Sequence, residues 1–406
     1  MNVDYPPGTE EFREEIRAFL RRELPDGWRG LGTLAEDEAV EFTAWWRGRL
    51  AGSGYLTPSW PTEYGGAGLS RLQQVVVSEE LARAGVPFNG KNDTFSIKMI
   101  GNLILRLGTE AQKQRFLPRI VSGEDRWCQG FSEPGAGSDL AGLRTRARLD
   151  GDEWVIDGQK IWTSDARTAN WMFLLARTDP DVPRHRGISM LLVPMDQPGI
   201  TVRPIEMMTG GNNFNEVFLD GARTARDQIV LGPGDGWKAA MALLGLERGD
   251  EAATNPIFFR AEVDRLLALA RERGLAEDAV VRDQLARAYT RVEIMRYLGL
   301  RTLTGWLKGE VPGRDASVSK LYWSEHHKAV TDLAVSLLGT DALVPSGRRP
   351  VRHYRADDPD APNSSGSWVS TWMTAISGTI YAGTSEVQRN ILAESVLGLP
   401  KESRGA

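Results

Sequence analysis

Apolar residues recur at helical spacing through the first third of the chain. Phe12, Ile16, Phe19 and Leu20 follow Thr9, Glu10 and Glu11, and Pro25 ends the run. That pattern predicts an amphipathic helix capped by Thr9, with acidic residues in its first turn. A second helix is expected from about Asp37 to Leu50, burying Val40, Trp45 and Trp46 or their neighbours. Turn formers fill Thr57 to Gly68, Ser70 then caps a third helix reaching Gly85, Asn92 to Leu107 reads as a fourth, and Thr109 opens a fifth through Leu117.

The period then changes from helical to alternating. Leu143 to Leu149 alternates apolar with charged residues, Asp150-Gly151 supplies a hairpin turn, and Trp154-Val155-Ile156 returns before a second turn at Asp157-Gly158. Strands are also expected over Trp171–Ala176, Ile188–Val193, Ile200–Ile205 and Phe214–Leu219. Helical spacing resumes at Trp237, with bundle-length segments near 256–273, 278–307, 315–338 and 385–397. Val344 to Gly366 has no apolar face and reads as a surface loop. The expected fold class is α+β: an N-terminal helical domain over residues 1–125, a middle antiparallel β domain over 126–235 and a C-terminal four-helix bundle over 236–406.

Composition narrows the function classes. A formal net charge of −5 gives no electrostatic reason to expect nucleic acid or an anionic membrane as partner. The single cysteine, Cys128, cannot form an internal disulfide, which fits a reducing cytoplasm, and Met1 to Gly8 has no apolar run of the kind a signal peptide or anchor needs. His326 and His327 are adjacent, so on a helix they point to different sides, and no metal site is expected.

Two stretches carry chemistry. Phe131-Ser132-Glu133-Pro134-Gly135-Ala136-Gly137-Ser138-Asp139 combines two hydroxyls with flexible glycines, a backbone able to approach a flat anionic ligand closely, although a surface loop would read the same. On the helix after Trp237, Ala240, Leu243, Leu244 and Glu247 fall at i, i+3, i+4 and i+7, so the Glu247 carboxylate shares a face with an apolar stripe. Desolvation there would raise its pKa toward that of a useful base, whereas a wet helix end, which Arg248, Asp250 and Glu251 allow, would not.

The run Phe131–Asp139, the segment Gly158-Gln159-Lys160-Ile161-Trp162-Thr163-Ser164 and the terminal Tyr381-Ala382-Gly383-Thr384-Ser385-Glu386-Val387-Gln388-Arg389 resemble three signature regions of the acyl-CoA dehydrogenase family. Their order within an α–β–α chain agrees with the family as well. The resemblance implies an FAD enzyme that oxidises the Cα–Cβ bond of an acyl-CoA to a trans-2-enoyl thioester, a base taking the α-proton while hydride leaves Cβ for flavin N5. It implies that Gln129, Phe131, Ser132, Gly137 and Ser138 line flavin and pyrophosphate, with Ser138 also near the pantetheine. Trp162 would cover one face of the isoalloxazine, Ser164 would hydrogen-bond its edge, Thr163 would also bind the cofactor, Thr384 and Glu386 would touch its phosphates and sugar, and Arg282 would reach a neighbouring subunit's FAD.

Much of the family carries its base directly after the terminal tyrosine, but here Tyr381 is followed by Ala382. The chain resembles instead the isovaleryl-CoA and long-chain acyl-CoA dehydrogenases, whose base sits in a Glu-Arg pair on the bundle helix. This implies Glu247 as base and Arg248, Ser138, Tyr381 and Gly383 as substrate contacts, the Gly383 N–H polarising the thioester carbonyl together with a ribityl hydroxyl.

Departures fall on the side that would serve a neighbouring subunit's FAD. The family's Arg-x-x-Phe-Gly reads Arg282-Asp283-Gln284-Leu285-Ala286, Glu293 stands where a glutamine is usual, and Ser336-Leu337-Leu338-Gly339-Thr340-Asp341 replaces a glycine-rich turn. Expected partners are an acyl-CoA substrate, an electron-transfer flavoprotein or similar acceptor, and either a homo-tetramer or a hetero-tetramer with a related subunit. The mixed assembly resembles that of actinobacterial steroid side-chain enzymes. A flavin-dependent oxidase or monooxygenase, or a non-catalytic partner subunit, would share the fold.

Overall fold

Ser70 and Thr109 open helices as expected. Each hydroxyl accepts a bond from the N–H three residues on, and Gln73 and Gln112 reciprocate to the cap N–H groups. The structure is a computed structural model that describes residues 5–88, 90–246, 249–309, 314–347 and 366–401. Its helices are α1 (Thr9–Glu23), α2 (Glu36–Ser53), α3 (Arg71–Arg83), a π-helical segment (Thr94–Gly101) continuing into α4 (Asn102–Leu107), and α5 (Glu110–Ser122), followed after the strands by α6 (Gly236–Leu246), α7 (Gly249–Glu272), α8 (Ala279–Leu307), α9 (Arg314–Leu338), α10 (Trp368–Gly378) and α11 (Ser385–Ile391). Strands are β1 (Trp127–Gly130), β2 (Arg146–Asp150), β3 (Glu153–Ser164), β4 (Trp171–Arg177), β5 (Ile188–Pro194), β6 (Ile200–Pro204), β7 (Phe214–Ala225) and β8 (Ile229–Val230).

Several local expectations need correction. Gly8, at φ +81°, occupies the cap of α1, and Thr9 lies inside the helix with its hydroxyl donating to the Pro6 carbonyl. On α2 the buried face is Ala39, Phe42, Trp46 and Leu50, while Val40 is 70% and Trp45 46% exposed. Stacking of Phe42 on Trp28, with ring centroids 4.4 Å apart, selects that face over the one carrying Val40. Helix α5 continues past Leu117, through Pro118, to Ser122. Asp157-Gly158 is no turn, because both residues lie within β3, which continues to Ser164. Of the loop expected from Val344 to Gly366, residues 348–365 lie outside the described residues.

The chain forms two compact units. One comprises Met1–Trp46, Leu69–Phe88 and Arg248–Ala406, and is helical. Its core gathers one stripe from each bundle helix: Phe259, Val263, Leu266 and Ala270 on α7, Leu285, Ala288, Val292 and Met295 on α8, Val330, Leu333, Ala334 and Leu337 on α9, and Trp368 on α10. Buried Arg13 on α1 pairs with Glu79 at 2.9 Å and Glu80 at 2.5 Å on α3, and the Tyr5 hydroxyl donates to Glu79.

The other unit, Arg47–Gly68 with Asn89–Glu247, holds the sheet. Strands run in the order β6-β7-β3-β2-β4-β5-β8, and β1 pairs with β4 in parallel while the long ladders are antiparallel. Strand β4 is buried from Met172 to Ala176 and β5 from Ile188 to Val193, so this part of the sheet is covered on both faces. The apolar cluster includes Cys128, Ile156, Met172, Leu174, Leu191, Val193 and Val217. Gln112 on α5 donates to the Asp227 and Ile229 carbonyls, tying a helix to the strand edge at β8.

Candidate active site

Strand β3 pairs with β7 in register from Glu153 to Ile156, shifts by Gly158, and shifts again between Lys160 and Thr163. Each shift is a β-bulge, which re-aims the side chains around it. At the first, Gly158 lies so close to Thr145 that a Cβ would come within 2.5 Å of the hydroxyl oxygen. At the second sits Trp162, with φ +59°, a left-handed backbone that a bulky residue adopts at a cost of about 1–3 kcal/mol. Trp162 is 57% exposed, meeting Phe214 edge-on with centroids 6.1 Å apart. The chain thus holds an indole outward under strain.

Beside this bulge runs the loop Phe131–Asp139, stitched to β3 from below. The Ile161 N–H donates to the Ser132 carbonyl at 2.9 Å. The Lys160 ammonium, fully buried, donates to the Phe131 carbonyl at 3.1 Å and to Glu133 at 2.7 Å. Glu133 also accepts from the Arg144 N–H at 2.6 Å and the Thr145 N–H at 2.9 Å, and its own backbone exchanges two hydrogen bonds with Ala136. Burial pushes the Lys160 ammonium down to about 8, against the pull of Glu133. Burial would raise the Glu133 carboxyl, but the charge and hydrogen bond of Lys160, with the Thr145 and Arg144 donors, outweigh it and hold the group below the ordinary carboxylate range. Sequence reasoning gave neither residue a role.

Of the expected cofactor residues, Gln129, Phe131, Ser132, Gly137, Ser138, Trp162, Thr163 and Ser164 all belong to this unit. Phe131 is buried edge-on against Phe173, and Ser138 is exposed. Gly135 and Gly137 do not have left-handed φ, and a Cβ on either would meet nothing within 4 Å. Their upper side is open. The Thr163 hydroxyl is buried without a hydrogen-bond partner. An exposed indole, an open glycine loop and an unused buried hydroxyl are compatible with a bound FAD.

Strain at Trp162 makes a testable prediction. Gly at this position is expected to be about 1 kcal/mol more stable than Ala in urea unfolding, because only Gly takes the left-handed backbone freely. Both variants are expected to bind FAD more weakly than the parent, as measured by flavin fluorescence on titration. If Ala proves as stable as Gly, the left-handed backbone at 162 is not the source of strain.

The helical unit holds the terminal motif. Ala382 and Gly383 have φ +52° and +89°, and Thr384 caps α11 by accepting the Val387 N–H at 3.2 Å. Gln388, on α11 and buried, donates to the Ala382 carbonyl at 3.0 Å, and buried Lys320 on α9 donates to the Gly383 carbonyl at 2.7 Å. Glu325 accepts from the Ser385 hydroxyl at 2.7 Å. Tyr381 lies near Trp323, centroids 6.3 Å apart, and Glu386 is exposed in the first turn of α11. Arg282, in the first turn of α8, pairs with Glu277 at 3.2 Å. Glu247 and Arg248 lie outside the described residues. Before them on α6, Ala240 and Leu243 are fully buried.

His326 and His327 are both fully buried. His327 meets Glu262 at 3.1 Å, and His326 packs edge-on against Phe259, burial holding its pKa down at about 3. No group of three potential metal ligands occurs among the described residues, and no helix among them is long and apolar enough to cross a membrane.

Comparison with known proteins gives one family. Its N-terminal domain description, "Acyl-CoA dehydrogenase, N-terminal domain", matches residues 6–124, the middle-domain description 128–222 and the C-terminal-domain description 234–397. Acyl-CoA dehydrogenase IpdE1 of Mycobacterium tuberculosis is 43% identical over 402 residues, covering 98% of this chain and 99% of that protein. The solved structure named Tcur3481-Tcur3483 steroid ACAD is 34% identical, with a TM-score of 0.80 over 99% of this chain and 100% of that one. The ChsE4-ChsE5 complex from Mycobacterium tuberculosis is 29% identical, with a TM-score of 0.76 over the same shares. A strained tryptophan platform, an ion-pair-anchored glycine loop and three concordant domain matches place this chain in the acyl-CoA dehydrogenase family of FAD-dependent oxidoreductases.

Proposed function

We propose that this member of the family dehydrogenates a bulky acyl-CoA, of the steroid side-chain class, with Glu247 as the base. The observation that carries the choice of base is Ala382: its exposed methyl, on a left-handed backbone, offers no proton acceptor where much of the family has a carboxylate. Ala240 and Leu243 are buried on α6, and Glu247 follows them in sequence by seven and four residues, the spacing at which its carboxylate would be desolvated. Bound FAD supplies the acceptor for the Cβ hydride. Glu247 takes the α-proton on its carboxylate oxygen, the Gly383 N–H donates to the thioester carbonyl and so acidifies that proton, and Arg248 binds the CoA portion. Alanine at 382 also leaves space beside Gly383, which suits a bulky acyl group, and the similarity to a structure named a steroid ACAD supports the same class. Cytoplasmic residence agrees with Cys128, a buried free thiol whose pKa burial pushes up.

The assembly proposed is a mixed one, with a related subunit completing the FAD site. Groups that would face a neighbour's cofactor are engaged within the chain: Glu293 pairs with Arg260 at 3.5 Å and Arg296 at 3.1 Å, Asp341 pairs with Arg273, and Leu285 is buried in the bundle core. Two of the similar structures carry names that join two components, Tcur3481-Tcur3483 and ChsE4-ChsE5, which supports this reading. Expressed alone, the chain is expected to retain well under one FAD per chain by absorbance. A homo-tetramer with one flavin per chain would contradict the mixed assembly, and rapid hydrogen peroxide formation without an acceptor would favour an oxidase.

A further inference from the structure

The Ala382–Gly383 peptide is trans, so its carbonyl and its N–H point in opposite directions. Its carbonyl is taken from the α11 side by Gln388 Nε2 at 3.0 Å. The N–H of Gly383 has no acceptor among the described residues and faces the other way. The next carbonyl, of Gly383 itself, is held by Lys320 at 2.7 Å, and the backbone of Ser385 is fixed by its N–H to Thr379 at 3.0 Å. Rotation of the Gly383 N–H is therefore blocked on both sides of the residue.

Gln388 is an unusual choice for a position only 1% exposed. Its Oε1 is buried without a partner, which costs about 1–3 kcal/mol, and a leucine would avoid that penalty. Gly383 is adapted to the same contact: a Cβ there would lie 2.4 Å from Gln388 Nε2, in addition to being strained at φ +89°.

We infer that Gln388 is a positioning residue for catalysis: by donating to the Ala382 carbonyl it aims the Gly383 N–H at the thioester oxygen and strengthens it as a donor. Hydrogen bonds in series polarise one another, so an N–H whose own carbonyl already accepts a bond is the better donor. The inference rests on the proposed role of the Gly383 N–H, and the test separates the two.

The probe is crotonyl-CoA labelled with 13C at the thioester carbonyl, bound to FAD-loaded enzyme and read by isotope-edited infrared difference spectroscopy. As the smallest convenient 2-enoyl thioester, it fits any pocket that takes a bulkier acyl group. In the parent enzyme the carbonyl stretch is expected to fall below its value in solution. In Gln388→Leu at least half of that fall is expected to vanish, with kcat reduced about tenfold, less than the loss of a whole oxyanion donor, and KM little changed. Gln388→Glu keeps the shape and guards against misfolding of the leucine variant. Its fall should be absent when the carboxylate is ionised and return when acid protonates it, since only then can it donate. No shift in the parent would remove the reading of Gly383 itself. A parent shift retained in full by Gln388→Leu, or by Gln388→Glu at every pH, would overturn the role given to Gln388.

Discussion

Glu247→Gln is expected to slow reduction of bound flavin by an acyl-CoA thioester about 10³-fold, while the thioester still binds. The carboxamide keeps the size and polarity of the side chain but cannot take a proton. The other position where the family carries a base is Ala382, which cannot compensate. The change leaves the donor proposed at Gly383 and its neighbouring bonds from Gln388 and Lys320 in place, so binding and carbonyl polarisation should persist. Stopped-flow absorbance at saturating thioester measures the step directly. Flavin reduction at the parent rate would remove Glu247 from the mechanism.

The second large effect is expected at Lys160. Lys160→Met leaves Glu133 buried beside two backbone donors but without a counter-charge, a change of about 3–5 kcal/mol in stability. It also frees the Phe131 carbonyl and so loosens the loop from β3. FAD retention should fall with it. Adding Glu133→Gln is expected to restore more than half of the lost stability, because an amide can accept from Thr145 or Arg144 without needing an ammonium. Urea unfolding of the parent, both single variants and the double variant gives the coupling, and additive effects would mean that the pair is not coupled.

The pH dependence has a definite sign. Lys160 titrates at about 8 when folded against 10.5 ordinarily, so between those values the unfolded chain holds the extra proton and stability from this group rises with pH. Met at 160 lacks that rise. The deficit of Lys160→Met relative to the parent should therefore be larger at pH ~9.5 than at pH ~7.

How far the sequence reaches depends on the range of the interaction. The capping boxes at Ser70 and Thr109 and the stripes of α7 to α9 are local, and they were legible. The face of α2 was not, because both Val40 and Phe42 fit a helical stripe and only Trp28, distant in sequence, chooses between them. Asp157-Gly158 reads as a turn, yet Gly158 is there for the close approach of Thr145 at a bulge. Helix α10 escaped notice since its Ser, Thr and apolar residues give no charged face to set the period. At the site, motif resemblance named Trp162, but its left-handed backbone and the Lys160–Glu133 tie arise from pairing across the sheet and loop. Gln388 lies within the terminal motif, but its reach back to Ala382 is visible only in three dimensions.

Anaerobic mixing of the FAD-loaded enzyme with a panel of CoA thioesters tests the proposed α,β-dehydrogenation. Steroid side-chain acyl-CoAs are expected to bleach the flavin band and to yield the trans-2-enoyl thioester in equal amount. Absence of bleaching with every thioester in the panel, in enzyme shown to carry FAD, would contradict it.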